Sequence, residues 1–176
     1  DEAVAWQQGR DRVERICAAA AAAGVPVLVD AEESWTQDAV DALVEEMMER
    51  FNKERALVYG TAQMYRHDRL AYLKALMERA TAKGFHVGMK LVRGAYMEKE
   101  RERAAEKGYR DPIGANKAAV DADYNASLRF FMEHLQRMAV LNGTHNEESS
   151  LLLARLMQEA GLAKNDPRIH FGQRLG

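Results

Sequence analysis

The sequence predicts an α/β chain whose parallel strands form part of a barrel wall. Three observations carry that prediction. Strand-length apolar runs alternate with helical runs roughly every 30 residues, which calls for parallel strands joined by right-handed crossovers. No Gly-rich dinucleotide or phosphate-loop fingerprint follows any strand, which weakens the doubly wound nucleotide-binding alternative. Asp30, Gln63, Lys90, Thr144, His145 and Gln173 all fall at or just past the C-terminal ends of strands, the end where barrel enzymes build their sites.

Taken in order, residues 2–23 are rich in Ala, Glu, Gln and Arg, which are good helix formers, and Gly24 stops the run. Residues 25–30 read as a short buried strand, apolar on Val27 and Val29, with Pro26 near its start where no ladder bond is required. The carboxylate cluster Asp30-Ala31-Glu32-Glu33 follows. Ser34 or Thr36 is placed to cap the next helix, in which Val40, Leu43, Val44, Met47, Met48 and Phe51 recur at steps of three and four. Residues 56–63 form the second strand, and the helix after it carries Leu70, Leu73, Leu76 and Met77 on one face, with Gly84 past its end.

Residues 86–92 are the third strand. Val87, Met89 and Leu91 share its apolar side, so Lys90 points the other way, two residues before the end and close to the Gly94 turn. An exposed charged helix begins near Glu98. After a Gly/Pro loop over residues 108–114, a longer helix presents Val120, Tyr124, Leu128, Phe131 and Leu135. Residues 138–143 make the fourth strand. Thr144-His145-Asn146-Glu147 has the form of a capping box, opening a helix lined by Leu152, Leu153, Leu156 and Met157. Residues 168–173 start a fifth strand.

Composition narrows the function classes. A length of 176 residues with 47% hydrophobic content suits one domain with a real core, here residues 1–176. Lys and Arg total 25 against 27 Asp and Glu, so no basic footprint for nucleic acid exists. Cys17 is the single cysteine, which excludes an internal disulfide and a cysteine-based metal knuckle and suits a reducing compartment. The longest apolar run, residues 18–23, is far short of the roughly 20 residues that span a bilayer. The expectation is a cytoplasmic protein without a metal.

From the residues alone, Asp30 and Lys90 read as a plain core ion pair. A Schiff-base aldolase is a second reading, because such enzymes use an inward lysine near the end of a barrel strand with an aspartate beside it. Thr144 and Asn146 read as helix caps, or as the place where a phosphate or ribityl oxygen meets helix N–H groups. A third reading is a catalytically inactive barrel fragment that binds no cofactor.

Five segments together resemble successive strand ends of the proline dehydrogenase family. They are Asp-Ala-Glu-Glu-Ser from Asp30, Gln-Met-Tyr-Arg-His-Asp from Gln63, Lys-Leu-Val-Arg-Gly-Ala-Tyr from Lys90, Gly-Thr-His-Asn-Glu from Gly143 and Phe-Gly-Gln from Phe171. They occur in the family's order, and the resemblance covers nearly the whole chain. It implies a distorted (β/α)8 TIM-type barrel, of which the chain covers about five consecutive β/α units. It also implies a flavoprotein of proline catabolism that binds FAD, oxidises L-proline to Δ1-pyrroline-5-carboxylate and passes electrons to a quinone, with at most peripheral contact to a bacterial inner membrane.

The resemblance assigns roles residue by residue. Lys90 is implied to sit against the flavin, where a preoriented cation offsets the negative charge of the reduced ring. Asp30 orients Lys90 and joins Tyr96 at the proline. Ala31, Gln63, Val92, Arg93, Gly94, Ala95, Lys117, Thr144, His145, Asn146 and Gln173 are implied to hold the flavin. The sequence departs from the family at Met97, where many members have tryptophan. It also contains neither the lysine of an earlier strand nor the Arg-Arg pair and Glu of a final helix that grip proline. The expectation is that the missing units, or self-association with a second copy, complete the barrel, since an open half leaves two strand edges unpaired.

Overall fold

The computed structural model describes residues 2–173. Helix α1 (Glu2–Ala23) precedes β1 (Val27–Leu28), α2 (Ser34–Phe51), β2 (Val58–Gln63), α3 (Arg69–Lys83) and β3 (Val87–Val92). Then come α4 (Met97–Lys107), α5 (Lys117–Glu133), β4 (Met138–Gly143), α6 (Glu147–Glu159) and β5 (Ile169–Gly172). All strand pairs are parallel, and the sheet order is β1-β2-β3-β4-β5. Each new strand therefore lies beside the one before it. A doubly wound sheet reverses direction at a switch point, whereas a steady progression is how a barrel wall grows.

Strand alternation then sorts the side chains. Val87, Met89 and Leu91 are essentially inaccessible and join Leu73 and Leu76 of α3 and Tyr124, Leu128 and Phe131 of α5 in the core. Gly88 and Lys90 consequently face the other side, with Lys90 level with Thr61 on β2 and Leu141 on β4. Gly88 has a packing reason: a Cβ there would stand 2.7 Å from the Val58 carbonyl and 2.8 Å from the Tyr59 ring.

Four local expectations are corrected. First, β1 is two residues long and leaves Val25 outside it and exposed, while Leu28 is exposed because β1 is an edge strand with β2 as its one sheet neighbour among the described residues. Second, neither Ser34 nor Thr36 caps α2. Glu33 stands at the N-cap without a side-chain capping bond, while the Ser34 hydroxyl turns to Glu100 and the Thr36 hydroxyl donates to the Glu33 carbonyl. Third, α4 is not wholly exposed, since Glu100 and Ala104 are buried. Fourth, the capping box is not formed: the N-cap of α6 is Asn146, whose side chain accepts from Ser149 N–H. Thr144 is unavailable for that role because its Oγ1 receives Arg93 Nη1 at 2.7 Å and the Asn146 N–H at 3.1 Å.

A polar cluster secures the turn from β2 into α3. Asp68 receives paired bonds from both Arg66 and Arg69, and Arg69 also reaches Asp41 of α2 at 2.7 Å. Burial alone would raise the Asp68 pKa, but the hydrogen bonds from Arg69 and Arg66 outweigh it and hold the carboxyl far below its usual range. A depressed folded value means that this stabilisation is present above the unfolded value of about 3.9 and drains away as pH falls through it toward the folded one. In urea unfolding, Asp68→Asn is expected to be less stable than the parent at pH 7. That difference should shrink progressively between about pH 5 and pH 2.

Candidate active site

The C-terminal ends of the strands surround one cleft of about 960 Å³. Every residue proposed above for the site borders it: Asp30 and Ala31 after β1, Gln63 on β2, Lys90 to Tyr96 along β3 and its turn with Leu91 excepted, Lys117 on α5, Thr144 to Asn146 after β4, and Gln173 after β5. A second hollow of about 800 Å³ adjoins it between α4 and the first turn of α5, sharing Arg93 to Tyr96 and Lys117.

At the centre Lys90 Nζ donates to Asp30 Oδ1. Lys90 is 20% exposed and Asp30 67% exposed, so the pair belongs to a cleft wall rather than to the core. Gln63 is nearly inaccessible. Its Nε2 donates to the Ala31 carbonyl at 3.3 Å, and its buried Oε1 finds no donor among the described residues. A buried acceptor without a donor is costly to a protein, and this one lies on the cleft. It is suited to a ligand that brings a ring N–H.

The turn after β3 shapes one wall. Gly94 has φ 125°, a conformation that L side chains rarely adopt, and a Cβ there would lie 2.6 Å from the Tyr65 ring. The backbone can therefore fold flat over Tyr65 and leave the cleft open beside it. Tyr96 follows, and its hydroxyl donates to Glu32. That hydrogen bond, reinforced by the Glu32 charge, holds the Tyr96 phenol above its ordinary pKa.

The other two proposed cations, Arg93 and Lys117, are engaged as Lys90 is. Arg93 alternates with Lys90 onto the helix side of the sheet, where Nε and Nη2 bond Asp121 Oδ1 at 2.9 and 2.6 Å. Its Nη1 bonds Thr144, Nη2 also reaches Ser149 Oγ at 3.1 Å, and the guanidinium lies 4.4 Å from the centre of the Tyr124 ring. Arg93 thus clamps the end of β3 to α5 and to the loop entering α6. Lys117 pairs with the same Asp121 and is 77% exposed. Burial would raise the Asp121 pKa, but the bonds from Lys117 and Arg93 outweigh it and keep the carboxyl below its usual range.

Three further residues that border or brace the cleft are not singled out by the sequence. Glu32 sits inside a quoted segment, but nothing local reveals that Tyr96 reaches it. Asp121 follows Lys117 by four residues, so helical spacing alone could have paired them. Thr61 lies two residues before Gln63 on the same face of β2 and borders the cleft, donating to the Val29 carbonyl at 2.8 Å. Strict alternation would have found it.

The proline dehydrogenase family model matches residues 2–176. The human mitochondrial Proline dehydrogenase 1 is 39% identical over 168 residues, covering 94% of this chain and 28% of the relative. The Xenopus laevis Hydroxyproline dehydrogenase is 37% identical over 169 residues, covering 94% and 36%. The chain thus spans about a quarter to a third of the length of these curated relatives. Among solved structures, proline utilization A from Bdellovibrio bacteriovorus superposes with a TM-score of 0.85 at 22% identity, covering 96% of this chain and 18% of that one. The Bradyrhizobium japonicum protein of the same name gives 0.83 at 20% identity. These structural likenesses bear on the fold, in which the five parallel strands are a half-barrel. With the cleft assembled from the strand ends that carry the resemblance, the chain belongs to the proline dehydrogenase family.

Proposed function

We propose that this chain is the flavin-facing half of a proline dehydrogenase barrel that oxidises L-proline to Δ1-pyrroline-5-carboxylate with FAD and passes the electrons to a quinone. The observation that carries the reading is the pairing, in one cleft, of the unsatisfied Gln63 acceptor with the Asp30–Lys90 pair. FAD, when bound, supplies the two-electron oxidation. The chain's own residues bind and orient.

Gln63 Oε1 offers an acceptor to a ring N–H, and Lys90 sets a positive charge at the cleft floor where Asp30 keeps it oriented. Gly94 and Ala95 present bare backbone to a flat ligand. Tyr96, fixed by Glu32, walls the side on which proline would lie, with Asp30 across from it. Thr144, His145 and Asn146 bring polar groups to the entrance of α6, although the N–H groups of Asn146 and Ser149 are already bonded within the chain. Lys117, solvated and at the rim, gives the cofactor phosphates a cation without burying one. Contact with a quinone in a bilayer is taken as peripheral; among the described residues no helix is long and apolar enough to cross a membrane.

The binding half of this reading is tested by incubating the chain with FAD, desalting and recording the visible spectrum. Retained flavin is expected, and Gln63→Leu should weaken FAD binding about tenfold, the usual consequence of losing one buried hydrogen bond. Equal affinity in parent and variant would remove Gln63 from the site.

A further inference from the structure

Glu100 lies on the most hydrophilic helix of the chain, yet it is fully buried and borders neither hollow. Its carboxylate accepts from the Ser34 backbone N–H at 2.6 Å and from the Ser34 hydroxyl at 2.5 Å. Ser34 opens α2, and the N-cap Glu33 makes no capping bond of its own. A helix start leaves N–H groups unpaired and carries a partial positive charge. Glu100 reaches across from α4 and answers both needs, acting as a cap supplied by another helix.

What this contact joins is the two halves of the site. The segment just before Ser34 holds Asp30, Glu32 and Glu33, which meet Lys90, Tyr96 and Lys99 in turn. All these contacts cross one seam between the β1–α2 loop and the β3–α4 turn. Those three have exposed partners and so contribute little each. The Glu100–Ser34 contact is the one with a fully buried partner, Glu100. Beside it Arg103, one turn along α4, lies 4.2 Å from the centre of the Trp35 ring, and its buried Nε finds no acceptor among the described residues. Tyr65, beneath the turn, has its phenol pushed up to about 12, first by burial and then by the Glu100 charge.

We propose that Glu100 is a positioning residue: by capping α2 from α4 it fixes where the β1–α2 loop stands, and so where Asp30 meets Lys90 and Glu32 meets Tyr96. This rests on the flavin reading for what the positioned groups do, but not for where they stand. Amide hydrogen exchange tests it without any cofactor. Glu100→Ala removes the acceptor. Ser34→Pro removes both donors at a position where proline is well tolerated. Glu33 already has the extended backbone, φ −74° and ψ 146°, that a residue before proline needs.

Exchange across residues 31–37 is expected to quicken at least about tenfold in both variants, with β2 and β4 keeping their protection. Glu100→Gln, which retains an acceptor for the Ser34 N–H, should stay within about threefold of the parent. If Glu100→Ala loses protection throughout, Ser34→Pro decides. Unchanged exchange at residues 31–37 in Ser34→Pro, or a uniform rise over the whole sheet in that variant, overturns the proposal. If the parent retains FAD, Glu100→Ala should weaken that binding and Glu100→Gln should restore it. A parent that retains none removes the flavin reading and leaves the exchange result standing.

Discussion

Replacing Lys90 by methionine is expected to slow the bleaching of bound flavin by proline about 10²-fold to 10³-fold, the usual loss when one preoriented donor is taken from a developing anion. Methionine has a similar reach and removes little besides the ammonium. Asp30, 67% exposed, can then be solvated without unfolding the wall, so the variant should keep its fold and most of its affinity for FAD through Gln63. Lys90→Arg should retain most of the rate, because a cation remains within reach of Asp30. Anaerobic stopped-flow absorbance reads this directly, and a Lys90→Met rate within threefold of the parent would reduce Lys90 to a partner for Asp30. Borohydride added with substrate should leave Lys90 unmodified. Covalent capture there would favour the Schiff-base reading.

Asn52→Ala carries the largest expected cost to stability, about 3–5 kcal/mol, measurable as a shift in the urea midpoint with an unchanged slope. Asn52 is inaccessible, and its amide is fully used. Nδ2 donates to the carbonyls of Val58 and His86 at 2.8 and 2.9 Å, and Oδ1 accepts from the N–H groups of Leu57 and Val58 at 2.9 and 2.8 Å. One side chain thus ties the end of α2 to the starts of β2 and β3. Alanine leaves all these backbone groups without their partner, the two of Val58 in the buried core and those of Leu57 and His86 at its edge. A loss below about 1 kcal/mol would mean that the surrounding backbone finds other partners.

The periodicities of the sequence were enough to place the elements, because each is encoded by residues near one another. Lys90 is the clearest case: alternation from Val87 to Leu91 already decided that it faces away from the core. The grouping of strand-end polar residues around one cleft was likewise legible, since a barrel wall sends all its C-terminal ends to one mouth. Apart from the Asp30–Lys90 pair, what stayed hidden were pairings between distant residues. Period and spacing say that Glu100 belongs to a charged helix, but not that one of its turns is pressed against Ser34, 66 positions earlier. Arg93 was read as part of a turn against the cofactor. Its side chain falls on the helix side, where Asp121 and Ser149 claim it. Asn146 caps α6 as read, but two other caps failed for a related reason, as Thr144 and Ser34 have the right chemistry for capping but spend it on Arg93 and Glu100. Val25 and Leu28 look like buried strand residues by type, but Val25 lies outside β1, and Leu28 is exposed because an edge strand is covered on fewer sides.

The most direct test is an anaerobic titration of the FAD-loaded chain with L-proline, followed in the visible spectrum. The flavin band is expected to bleach with proline and to return when a quinone is added. A band that proline leaves fully oxidised, in a chain that has retained its FAD, would contradict the proposed oxidation by this half-barrel.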